Sequence, residues 1–222
     1  MFNEFLLVSQ LHLYQNPRSP RMSTATISYA IEHLDTLALV EFLEDKALPI
    51  EDVRAIYDAF KDDKQLVGQV AMNLSLRTSV YEREKEYSPI MVALLIDISQ
   101  NPIDMGARWA VAKNPHTPVE VLRHLANDTI NLVRALVATN PSTPSDVLEK
   151  FFSDEKIVRD GLSGNPNTPP KLLKILVDDN DKMVRMRLAE NRAAPREIIE
   201  SLLKDNDIDV TKAAQANLDA SK

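Results

Sequence analysis

The sequence predicts an all-α fold, an α-solenoid built from helix–short-helix units of 25–26 residues, and three observations carry that prediction. The pentapeptide Asn-Pro-x-Thr-Pro recurs at Asn114–Pro118, Asn140–Pro144 and Asn165–Pro169, with a worn copy at Asn191–Pro195 and a further Asn217 in register. The asparagines are 26, 25, 26 and 26 residues apart, a period at which each unit buries its apolar face only against its neighbours. Between the pentapeptides the apolar residues follow helical spacing, as in Val147, Leu148, Phe151, Phe152, then Leu172, Leu173, Leu176, Val177, then Ile198, Ile199, Leu202, Leu203. Nothing alternates in the manner of a strand.

The elements follow in chain order. Residues 1–21 read as a flexible tail or an upstream extension: Phe5-Leu6-Leu7-Val8 is apolar but too short to span a bilayer, and Glu4 stands where a signal peptide is basic. Residues 22–47 form an N-terminal capping segment, with Ala30–Glu44 as one helix carrying Ile31, Leu34, Leu37 and Ala38 on one face. The array occupies 48–222. Its early units are degenerate: Pro49 leads through Val53, Ile56 and Tyr57 to Val70-Ala71-Met72-Asn73, and Pro89 through Met91, Val92, Leu95 and Ile96 to Arg108–Ala112. Between them lies a loop insertion at 74–88, containing Tyr81-Glu82-Arg83-Glu84-Lys85-Glu86-Tyr87; it reads first as a solvated charge run and second as a loop on a binding face.

The later units share one grammar. Pro115 stops the preceding helix, because it restricts the residue before it and donates no backbone hydrogen bond. Thr117 then stands where an N-cap belongs, with Pro118 at the first helical position and Glu120 closing a capping box; Thr143 and Thr168 are its counterparts. Asn127-Asp128 ends that helix, and a second, shorter one runs from Leu132 to Ala138.

Composition limits the function. The formal charge is −7, with 9 basic and 14 acidic residues before Ile90 and 17 and 19 from there on, a balance opposed to general binding of nucleic acid backbone. The chain has no cysteine, which excludes disulfides, thiolate zinc sites and cysteine-held iron–sulfur clusters and fits a cytoplasmic setting. The four histidines show no metal-ligand spacing, and Asp178-Asp179-Asn180-Asp181 lacks the Gly and closing Glu of a calcium loop. No cofactor is expected.

Asn-Pro-x-Thr-Pro, a Leu-Leu pair, an acidic turn and Val-Arg-x-x-[Leu/Val]-Ala-x-Asn together resemble the leucine-rich repeat variant family, similar in logic to HEAT repeats. The match is good over Pro89–Asn217 and poor over Leu48–Asn73. The resemblance implies a right-handed superhelix in which an α-helix alternates with a shorter, often 3₁₀, helix. The iron–sulfur cluster that members of the family can carry has no ligands here.

Two sets of residues stand out. Arg108, Arg134, Arg159 and Arg185 recur once per unit, replaced by Val67 and Thr211 at the ends. They read as a structural ladder pairing with turn acids such as Asp104, Asp128, Asp154 and Asp181, since the planar guanidinium satisfies two acceptors at once; the competing reading is an anion-binding stripe. Trp109, the single tryptophan, is followed in register by Ala135, Asp160, Met186 and Lys212, while Lys113, Thr139, Gly164 and Glu190 fill a neighbouring variable position. Trp109, Lys113, Asp160, Met186 and Glu190 are the candidate partner-binding residues, on the concave surface that second helices line in HEAT-like arrays; the alternative packs Trp109 beneath the 74–88 insertion. The function expected is a non-enzymatic module that binds another protein. Against it stand a HEAT-like enzyme, of the DNA glycosylase or bilin lyase kind, and a structural subunit of a larger assembly.

Overall fold

The computed structural model describes residues 24–77, 88–101 and 103–220, which are helical with no strand among them. The segment before Thr24 and the charge run at 81–87 lie outside the described residues. α1 (Thr24–Glu32) and α2 (Thr36–Glu44) are followed by the pairs α3 (Ile50–Ala59) with α4 (Lys64–Arg77), α5 (Pro89–Gln100) with α6 (Met105–Lys113), and α7 (Val119–Leu125) with α8 (Asn131–Thr139). Then come α9 (Ser145–Leu148) with α10 (Lys156–Gly164), α11 (Pro170–Leu176) with α12 (Lys182–Glu190), and α13 (Arg196–Leu202) with α14 (Ile208–Ala220). The second helices α4, α6, α8, α10, α12 and α14 pack side by side in one row, each covered on its inner face by the first helices. A single core runs from Ile27 to Leu218. No described helix is long and apolar enough to cross a membrane.

The conserved register of the pentapeptide has a polar explanation. The Asn140 side chain is buried and donates to the carbonyls of Ala112 (2.8 Å) and Asn114 (2.9 Å) in the preceding unit, while its Oδ1 accepts from Ser142 N (2.9 Å). Asn165, Asn191 and Asn217 repeat the two donations to the unit before. Each asparagine thus reaches a carbonyl in the last turn of the preceding unit's second helix and shares the carbonyl of the asparagine just after that helix with a backbone N–H of the turn, and does so across the interface between units.

Several expectations need correction. Thr117, Thr143 and Thr168 are not N-caps: their hydroxyls donate at 2.6 Å to the carbonyls of Val111, Val137 and Leu162, at the end of the preceding helix. The prolines 118, 144, 169 and 195 occupy the N-cap position instead, with no side-chain cap, and Glu120 lies 3.7 Å from Arg123. The Asn-Pro turn points the threonine back at the helix it has just closed. Shifting the start by one residue leaves first helices of seven residues in three units, against nine in the second helices α6, α8, α10 and α12; the 3₁₀ stretch, Glu149–Ser153, extends α9. In those three units the second helix is therefore the longer one, whereas α5, with 12 residues, exceeds α6 with 9.

Ala30–Glu44 is not one helix. Leu34 sits at φ 54° in a turn, Asp35 caps α2 by accepting from Ala38 N (3.1 Å), and Leu34 and Leu37 are exposed rather than packed. Leu74–Arg77, assigned to the inserted loop, form the last turn of α4, with Leu74 and Arg77 buried. The fourth apolar position of the first helices is only half-buried at Phe152 and Val177, and Leu203 is exposed, because seven-residue helices end before that position can turn inward.

Candidate interaction surface

Each second helix has an inner face built from residues such as Val133, Val137, Val158, Leu162, Val184 and Leu188, all fully buried. At its N-terminal edge the arginines tie one unit to the next. Arg108 Nε lies 2.7 Å from Asp128, and Arg134, Arg159 and Arg185 each place two nitrogens on Asp154, Asp179 and Asp205, at 2.6–3.1 Å. Arg134, Arg159 and Arg185 also donate to the backbone carbonyls of Asp128, Asp154 and Asp179, so each guanidinium clasps the turn of its own unit and the carboxylate of the next. Asp104 and Asp181 are not ladder partners; their carboxylates accept from Gly106 N and Met183 N and cap α6 and α12. Asp179 and Asp205 fill the role.

The spacing tolerates a deletion. The 25-residue unit loses its residue in the turn between Asp154 and Arg159, five apart where other units have six, and the pairings persist. The arginine hydrogen bond holds the Asp154 and Asp205 carboxyls below the usual carboxylate range. At Asp128 and Asp179 burial opposes ionisation, yet the arginine and a backbone N–H together still pull the carboxyl down.

The face of the second-helix row turned away from the first helices carries the variable residues. Trp109 is 37% exposed, and the Lys113 ammonium lies 5.7 Å from its ring centroid. Asp160 and Glu190 meet at a different place: Arg187 Nε is 3.7 Å from Asp160 and Arg187 Nη1 is 3.1 Å from Glu190. Gly164 makes room for this, since a Cβ there would lie 2.8 Å from the Arg187 stem. Burial raises the Asp160 carboxyl, with Arg187 opposing. Met186 is partly buried and packs against the core. The five candidates therefore fall into two groups on α6 and on α10–α12, with α8 between them.

Sequence reasoning passed over an apolar row on the same face. Leu132, Ile157 and Met183 each stand two residues before the ladder arginine of their unit and are 44%, 40% and 39% exposed. The available signal was their recurrence at one offset that the core does not use. Met72 on α4 and Met105 on α6 extend the apolar character toward the N-terminal end.

One interface in the row differs. Between α4 and α6 the ladder arginine is replaced by buried Val67, and the Asn114 Nδ2 is buried without a hydrogen-bond partner. The reason is that α4 runs on past Asn73 to Arg77, so the chain makes no Asn-Pro turn there to offer carbonyls. Here a groove of about 620 Å³ opens between the two helices, walled by Met72 and Trp109 with Gly68 and Gly106 on its floor.

No protein-family profile matches the chain, and no curated protein does. Among solved structures it is similar to a protein described as a leucine-rich repeat variant with a novel repetitive protein structural motif, at 22% identity and a TM-score of 0.50. The likeness covers 87% of this chain and 76% of that one. It shows a shared helical-repeat fold.

Proposed function

We propose that the chain is a non-enzymatic interaction module, a right-handed solenoid whose second helices line a concave surface that binds another protein. The observation that carries this reading is the row Leu132, Ile157 and Met183, exposed apolar side chains at one register of three successive units, with Trp109 exposed on α6 three positions after Gly106, the counterpart of Leu132. Large apolar residues at one register of adjacent helices form a continuous patch, and such patches mark association surfaces. The carboxylates on the same face support binding rather than proton transfer, since Asp160 and Glu190 share Arg187. The repeat-protein likeness agrees with a scaffold.

The test is partner capture with the full chain as bait, comparing the natural sequence with Trp109→Ala and Ile157→Glu. Partners retained by the natural chain should fall away by about 2 kcal/mol or more with the variants, whose circular dichroism and melting should be unchanged. Capture that ignores both substitutions sinks the concave-face assignment.

A further inference from the structure

The α4–α6 groove has a chemistry of its own. Its walls and floor are apolar or bare: Met72 and Trp109 stand at the sides, and glycines 68 and 106 occupy registers where later units place Ala135 or Leu132. The missing side chain at Gly106 leaves space on an otherwise regular frame, while that at Gly68 makes room for the Asp104 carboxylate, 2.7 Å from where a Cβ would stand. Around the groove the polar groups are two lysines, two glutamines and one carboxylate. Lys64, Gln65 and Gln69 line the α4 side, and Lys113 lies over Trp109 on the other. Neither lysine forms an ion pair with a carboxylate among the described residues, whereas Lys156, Lys182 and Arg187, farther along the row, are each paired with acids. The carboxylate at the groove, Asp104, is committed to Gly106 N as the cap of α6. On a chain of net charge −7, the groove and its rim set two unpaired lysines, Lys64 and Lys113, against the one carboxylate of Asp104.

We propose that this groove binds an acidic peptide segment of the partner, with one aromatic or branched apolar side chain inserted between Met72 and Trp109 and flanking carboxylates on Lys64 and Lys113. The proposal rests on the interaction-module reading above and assigns its primary pocket. The apolar anchor gains by leaving water; the lysines favour acids and disfavour basic segments, which sets specificity more than affinity. Openings beside the ladder, such as those at Arg159 and Arg185, are lined by the paired aspartates, whereas this one is lined by Met72 and Trp109.

The single tryptophan makes the site its own reporter. Random short peptides selected against the full chain should converge on an apolar residue flanked by at least two acids. Synthetic versions should change Trp109 fluorescence and weaken with salt. Gly106→Leu, which places in the groove the residue found at the same register as Leu132, should lower affinity by about tenfold or more, as should Lys113→Glu, while Lys174→Glu, exposed on α11 and outside both the groove and the apolar row, leaves it unchanged. Melting curves of each variant report folding, and Lys113→Glu keeps the test open should Gly106→Leu fold poorly. Basic consensus peptides, or binding indifferent to both groove variants, overturn the proposal. Peptides lost with Met183→Glu but not with Gly106→Leu leave the interaction module standing and remove the groove. Enrichment of nothing removes both. Trp109 already shielded from acrylamide in the isolated chain means a filled groove and also overturns it.

Discussion

The interface between α8 and α10 and that between α4 and α6 join second helices in the same row, yet they are held differently. At the first, Asn165 donates to Ala138 and Asn140 carbonyls, Arg134 clasps Asp154, and Gly161 brings the backbones so close that a Cβ would lie 2.8 Å from the Ala135 carbonyl. At the second, Val67 replaces the arginine, Asn114 Nδ2 has no acceptor, and Gly68 lies against the Asp104 side chain rather than a helix backbone, with Gly106 beside it in the groove. Polar ties that remain there lie nearer the first helices, in Arg54–Asp97 and in Asn101 Nδ2 to the Lys61 carbonyl. Apolar burial stacks the units at both interfaces, and the ladders add polar ties at the first that the second lacks.

If that is right, the apolar core should not distinguish the two regions. Leu148→Ala in the laddered part and Leu74→Ala at α4 should each cost about 2–5 kcal/mol in denaturant melts, because both side chains are fully buried. A large difference between them would place the contrast in packing, not in polar ties.

The asparagines should separate the regions. Asn140→Ala leaves the buried Ala112 carbonyl and the Ser142 N–H without their partner, takes one of two donors from the Asn114 carbonyl, and should cost about 2–4 kcal/mol. Asn114→Ala loses only the bond from His116 N to its Oδ1 and should cost about 1–2 kcal/mol. Equal losses would break the comparison.

Arg134→Ala should cost about 1–3 kcal/mol, since the pair with Asp154 is part-buried and leaves a carboxylate desolvated. The linked pH effect has a definite sign. Asp128, Asp154, Asp179 and Asp205 have folded pKa values depressed below the ordinary 3.8, so their contribution is present above that value and lost as pH falls through the folded ones. The melting temperature should therefore drop on acidification below about pH 4, and the drop should be smaller in Arg134→Ala. A variant with the same acid profile as the natural chain would remove the ladder from the linkage.

The smallest effect belongs to the groove. Trp109→Ala should change stability by less than about 1 kcal/mol, because the ring is partly exposed and braced mainly by Lys113. A larger loss would make Trp109 part of the core and close the groove as a binding site.

The sequence by itself determined the helical class, the unit length and the positions that recur, because period and apolar spacing are local properties of the chain. It marked Asn140 and its counterparts, and it marked the arginines. Tertiary structure alone decided what those residues do. Thr117 looked like a cap for the helix after it and serves the helix before it, since a hydroxyl can accept from the N–H groups that follow an Asn-Pro turn or donate to a carbonyl that precedes it, and only the path of the chain selects one. Arg159 could have met Asp181 but meets Asp179, because partner choice across units depends on how the helices stack. Leu34 fits a continuous helical face in sequence, and the turn at φ 54° puts it in water. The groove was invisible for the same reason: Gly68 and Gly106 are 38 residues apart and become one floor only when α4 lies against α6.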